Sequence, residues 1–145
     1  MTIRFTISTM TEPLGKSDIM SNSYRLDLGE DRIEFDTLTN LYKFAYDALK
    51  PYKYQNVAFA IYQKINGRWT KYGYVGDFRG AKAVSKKNDK GIMTLYQLLA
   101  TGTLKLVKTV TINPDSPSDM ALLKKFGLNK TWGKLEPGKS YWAIA

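Results

Sequence analysis

The chain has 145 residues, a formal net charge of +9, no cysteine and no histidine. Those absences exclude disulfides, zinc held by nitrogen or sulfur, and Ser-His-Asp or Cys-His nucleophile systems. Carboxylate, Lys or Tyr chemistry and Mg²⁺ on acidic oxygens stay open.

The length suits one domain. Its charge is uneven. Residues 1–50 carry 6 basic against 8 acidic side chains, whereas residues 51–91 carry 9 against 2. A field of one sign attracts polyanions and is silent about fold.

In chain order, Ile3, Phe5 and Ile7 alternate with Arg4, Thr6 and Ser8, the period of a half-buried strand. This N-terminus lacks the continuous apolar run of a signal peptide, and no stretch is long and apolar enough to span a bilayer. The expected compartment is cytoplasmic, of a host cell if the gene is viral. Thr11–Ser23 is polar and reads as a loop.

Tyr24, Leu26 and Leu28 alternate again, and Gly29-Glu30-Asp31 turns the chain into Arg32–Phe35, predicting a hairpin. Asp36 or Thr37 caps the next helix. Leu38, Leu41, Phe44/Ala45 and Ala48/Leu49 form its apolar stripe, which Lys50-Pro51 ends.

Val57, Phe59 and Ile61 then alternate with small and polar residues up to Asn66-Gly67, and Arg68–Val75 follows. Asn-Gly between two such runs marks a two-residue hairpin turn. Strict pairing sets Ile65 against Arg68, Lys64 against Trp69, Tyr62 against Lys71, Ala60 against Gly73 and Ala58 against Val75. One face then shows Val57, Phe59, Ile61, Tyr72 and Tyr74. The other shows Tyr62, Lys64, Trp69 and Lys71 beside Ala58, Ala60 and Gly73.

Gly76–Gly91 is rich in glycine and lysine and reads as a long exposed loop. Ile92, Leu95, Tyr96 and Leu99 fit a short helix, and Thr103–Ile112 a strand. Ser116-Pro117 opens a further helix, with Leu122, Leu123 and Phe126 as its apolar side and Gly127 as its stop. Ser140–Ala145 is a candidate last strand. The expected class is α+β: a single domain over 1–145, with a largely antiparallel sheet and two or three packed helices.

Gly133–Ser140 matches the phosphate-binding pattern G-x-x-x-x-G-K-[ST]. It lacks a buried strand before it and a helix after it, and Pro137 removes an amide from the cradle. The match is one of turn composition only. Asp27, Glu30, Asp31, Glu34 and Asp36 form an acidic cluster that would suit Mg²⁺. Turn, cap and solvent-facing roles account for each member.

The hairpin carries the functional expectation. Tyr62, Lys64, Arg68, Trp69 and Lys71 combine aromatic rings with cations, the equipment for unstacked bases and their phosphates. Arg79, Lys82, Lys86, Lys87 and Lys90 in the adjoining segment are placed to follow the same backbone. Cross-strand aromatic–Lys pairs also stabilise a sheet with no ligand, and a helix packed over Ala58 and Ala60 would close the platform.

The expected protein is a non-enzymatic basic module without cofactor or metal. Its expected ligand is nucleic acid, single-stranded in preference to duplex, or a nucleoprotein complex. An alternative is a small interaction or inhibitor protein of viral or mobile-element type that binds a host protein. A Mg²⁺-dependent enzyme ranks last. An exposed edge strand also allows homo-oligomers.

Overall fold

A computed structural model describes residues 22–107, 111–113 and 115–128, and the backbone of 139–140. The expected strand at Ile3–Ile7, most of the Thr11–Ser23 loop, nearly all of Gly133–Ser140 and the segment beyond Ser140 lie outside these residues.

The first hairpin forms as its alternation requires: β1 (Tyr24–Leu28) pairs antiparallel with β2 (Asp31–Phe35) across Gly29, whose φ is +60°. Thr37 caps α1 (Leu38–Ala48), its Oγ1 accepting from the Asn40 N–H at 3.1 Å. A 3₁₀ turn at Lys50–Tyr52 closes the element. The second hairpin, β3 (Ala58–Ile65) and β4 (Arg68–Phe78), turns at Asn66-Gly67, both at positive φ.

Beyond β4 the sequence reading is corrected. Gly76–Gly91 is not a loop: β4 runs on to Phe78, turns at Arg79-Gly80 and returns as β5 (Ala81–Lys87). Ile92–Ala100 is not a helix but holds β6 (Met93–Leu98). Thr103–Ile112 is divided into β7 (Leu104–Leu106) and β8 (Thr111–Ile112). α2 (Pro117–Lys125) starts at its expected cap, Ser116, and Gly127 follows its end at φ +70°. The short strand β9 (Lys139–Ser140) pairs with β8.

β5 and β6 escape the alternation test because both of their faces are covered. Ala83, Val84 and Ser85 are buried in succession, as are Thr94 and Leu95. A strand buried on both sides shows no polar face, so its periodicity is ambiguous.

Seven strands make one antiparallel sheet in the order β2-β1-β3-β4-β5-β6-β7, and with α1 and α2 they form an α+β domain. Leu26, Ile61, Val75, Val84 and Leu98, from five different strands, pack with Leu41, Tyr42, Ala45 and Leu49 of the α1 region. Opposite them, Phe78, Ala83 and Leu95 pack with Ile112, Leu122, Leu123, Phe126 and Leu128. The Ser85 hydroxyl donates to the Phe126 carbonyl at 2.6 Å and ties the end of α2 to the sheet.

α1 reaches across the sheet. Phe44 packs at a tilt on Phe35 of β2 with ring centres 5.5 Å apart, while Thr39 and Lys43 lie against Gly102 in the connection after β6.

A bulge corrects the hairpin register. Tyr62 faces Lys71, but Ile61 faces Gly73, so Ala60 pairs with Tyr74 rather than Gly73, and Ala58 with Gly76 rather than Val75. Tyr72 is the extra residue; such an insertion re-aims the side chains beyond it. Tyr72 joins the α1 core and Tyr74 moves to the α2 side, splitting two residues expected to share one face. Gly76 is required here: a Cβ would fall 1.9 Å from the Val57 carbonyl oxygen.

Candidate functional site

Before the bulge the expected register holds, with Tyr62 opposite Lys71 and Lys64 opposite Trp69. These four side chains therefore share the face of the sheet opposite α1. Neither Tyr62 nor Trp69 belongs to either core cluster. Lys64 and Lys71 are exposed, and the two rings half-buried.

The pairing of β1 with β3 adds Arg25, which the sequence reading missed, and gives Asp27 a place here rather than in a metal site. Arg25 lies opposite Tyr62, and its guanidinium sits 4.5 Å from the Tyr62 ring centre and 5.1 Å from that of Trp69. Arg25 Nε donates to Asp27 Oδ1 at 2.7 Å and Nη2 to Oδ2 at 3.0 Å, a two-pronged grip that holds the guanidinium in place. Their side chains are only 12% and 19% exposed, so this pair is the fixed floor of the site. Alternation in Tyr24–Leu28 does put Arg25 and Asp27 on one strand face. No local pattern reports which strand lies next to it.

Two lysines complete the ladder. Lys64 Nζ is 4.9 Å from the Trp69 ring centre, and Lys71 Nζ is 5.7 Å from that of Tyr62 and 5.1 Å from that of Tyr74. Lys71 also donates to Tyr74 Oη at 3.3 Å, a bond that raises its pKa and keeps it charged. Each ring thus carries a cation while the lysine heads stay in solvent.

The remaining basic candidates do not converge on one spot. Lys82 and Lys86 project from β5 toward the α1 side, onto Tyr46 at 4.5 Å and Tyr96 at 5.1 Å. Arg79 sits in the β4–β5 turn, bonded to Asp119 of α2. Arg68 flanks the Asn66-Gly67 turn, and Lys90 lies in the Asn88–Ile92 connection. In an antiparallel sheet those two connections fall at the same end, the β3–β4 turn reaching further out because β4 continues to Arg68 while β5 ends at Lys87. Lys87, at the end of β5, shares the α2-side face and points there too. Lys64, Lys71 and Lys87 thus share one face toward this end of the sheet and Arg68 and Lys90 sit at its connections, while Glu30 and Asp31 occupy the other end, at the β1–β2 turn.

The acidic cluster is dispersed. Asp27 is held by Arg25, and Asp36 accepts from Asn40 Nδ2 at 2.9 Å. Among the described residues no three carboxylates meet in a way that could hold a metal ion. Nor, among them, is any helix long and apolar enough to cross a membrane.

On the α1 side, burial raises the pKa of the Tyr42 and Tyr72 hydroxyls; Tyr72 adds to the rise at Tyr42, whereas Tyr42 partly offsets it at Tyr72. The Tyr42 hydroxyl is buried beside Tyr72 without a hydrogen bond of good geometry. Neutral phenols in a packed core offer no acid–base group near pH 7.

No protein family, no curated protein and no solved structure matches this chain.

Proposed function

We propose that the protein is a non-enzymatic nucleic-acid-binding module whose ligand is a single strand laid over the Tyr62/Trp69 face. The observation that carries this reading is the Arg25–Tyr62–Trp69 stack, with Lys64 and Lys71 beside it, outside both cores. Bases of a single strand stack on such rings whatever their identity, and ammonium groups at their edges meet the phosphates. Arg68, Lys87 and Lys90 extend the cationic track at the same end of the sheet. Arg79, Lys82 and Lys86 are committed to Asp119, Tyr46 and Tyr96 and stay off the path.

The same ladder also stabilises the sheet with no ligand. One substitution separates the two roles. Trp69→Ala removes a stacking surface worth about 1–3 kcal/mol per base, so affinity for a labelled oligo-dT falls roughly 5- to 150-fold. Thermal melts of the same variant report what the ring contributes to the fold. A variant that still melts as a folded protein and binds oligo-dT as tightly as the parent contradicts the proposal.

A further inference from the structure

The edge strand β2 carries a charge pattern that is complementary to itself. Its sequence is Asp31-Arg32-Ile33-Glu34-Phe35, and among the described residues only β1 pairs with it. The Phe35 carbonyl accepts from Ser23 N–H on the β1 side at 3.0 Å. By alternation Ile33 and Asp31 also bond inward, and Arg32 and Glu34 turn their backbone N–H and C=O groups outward.

Two such edges meeting antiparallel about Ile33 set Arg32 opposite Glu34 of the second copy, and Glu34 opposite its Arg32. Among the described residues, those are the positions whose backbone groups face no partner strand and can exchange hydrogen bonds with a second copy. The charges already alternate within one chain, since Arg25 lies opposite Glu34 and Asp27 opposite Arg32. The pairing continues that checkerboard across the dyad, with opposite charges directly facing each other at both contacts. Charges of one sign guard an edge against pairing, whereas alternating charges select a single register. On the α1 side the exposed ring of Phe44, stacked on Phe35, borders the same edge and supplies apolar surface.

We infer that β2 is a homodimer interface, a two-fold antiparallel pairing of two copies through Arg32, Ile33 and Glu34. The interface is isologous, as closed dimers require, and joins two sheets into one. The Tyr62/Trp69 faces of both copies then lie on the same side of the joined sheet. The inference rests on β2 alone and stands or falls apart from the nucleic-acid reading.

The test is sedimentation equilibrium of the full chain at low salt, without nucleic acid. The parent protein runs as a dimer. Arg32→Glu and Glu34→Arg each set like charges against each other at both symmetry-related contacts and weaken association roughly tenfold or more. Mixed in equal amounts, the two variants pair Arg with Glu at every contact and recover dimerisation, which also shows that both are folded. A parent protein that stays monomeric overturns the inference. So do single variants that dimerise as tightly as the parent, or a mixture that fails to associate while both variants melt like the parent.

Discussion

Asp119 joins two parts of the molecule through one carboxylate. Its Oδ2 accepts from the Asn113 N–H at 2.9 Å, and its Oδ1 pairs with Arg79 in the β4–β5 turn. Partial burial works against its charge, but the Asn113 bond and the Arg79 guanidinium outweigh it and hold the pKa below the ordinary carboxylate value. A group with a lowered folded pKa stabilises the native state fully above its unfolded value and loses that contribution as pH falls through the folded one. The stability difference between the parent and Asp119→Asn is therefore expected to shrink as thermal melts are taken from about pH 5 down to about pH 2. A difference that stays constant over that range would count against an ionised Asp119 in the fold. At this scale the candidate site was partly legible in the sequence. The two-residue turn fixes the partners of Lys64 and Tyr62, because nothing intervenes before the bulge. Arg25 was not legible, since its neighbour Tyr62 lies in a strand reached only after a second strand and a helix.

At the scale of elements, legibility followed exposure. β1, β2 and the turn half of β3–β4 have a wet face, so their alternation is plain. Both helices announce themselves through caps, Thr37 for α1 and Ser116 for α2, each accepting a bond from the N–H three residues on. β5 and β6 hide their alternation because both of their faces are packed, one against α1 and the other against α2. The Gly and Lys content of Gly76–Gly91 imitated a loop, and the apolar spacing of Ile92–Leu99 imitated a helix. The bulge at Tyr72 has no sequence signature of its own, and it alone moved Tyr74 across the sheet. Capping gives the test that belongs at this scale. Thr37→Ala leaves the Asn40 N–H without its acceptor and lowers unfolding stability by about 1 kcal/mol in urea titrations, with the slope unchanged. An unchanged midpoint would mean that packing under Leu41 and Ala45, rather than the cap, fixes where α1 starts.

At the scale of the whole molecule, the described residues place α1 on one side of the sheet and α2 over part of the other. α2 packs near Ala58, Tyr74 and Ala83 and leaves the Tyr62/Trp69 region outside its cluster. The sequence shows an excess of positive charge in residues 51–91, divided between a hairpin and an expected loop at Gly76–Gly91. Folding divides those cations between two faces and two ends, and five of them lie toward the end that carries the β3–β4 and β5–β6 connections. That arrangement makes a quantitative demand on binding. A single strand releases counterions in proportion to the phosphates neutralised, with a slope of about −0.7 per contact in log K against log salt. Five contacts by Lys64, Arg68, Lys71, Lys87 and Lys90 therefore give a slope of about −3.5. The decisive measurement is fluorescence anisotropy of labelled single-stranded and duplex oligonucleotides titrated with the protein at three salt concentrations. The account predicts tighter binding of the single strand and a slope near that value. Absence of binding at the lowest salt, or an affinity for the single strand that does not change with salt, would contradict it.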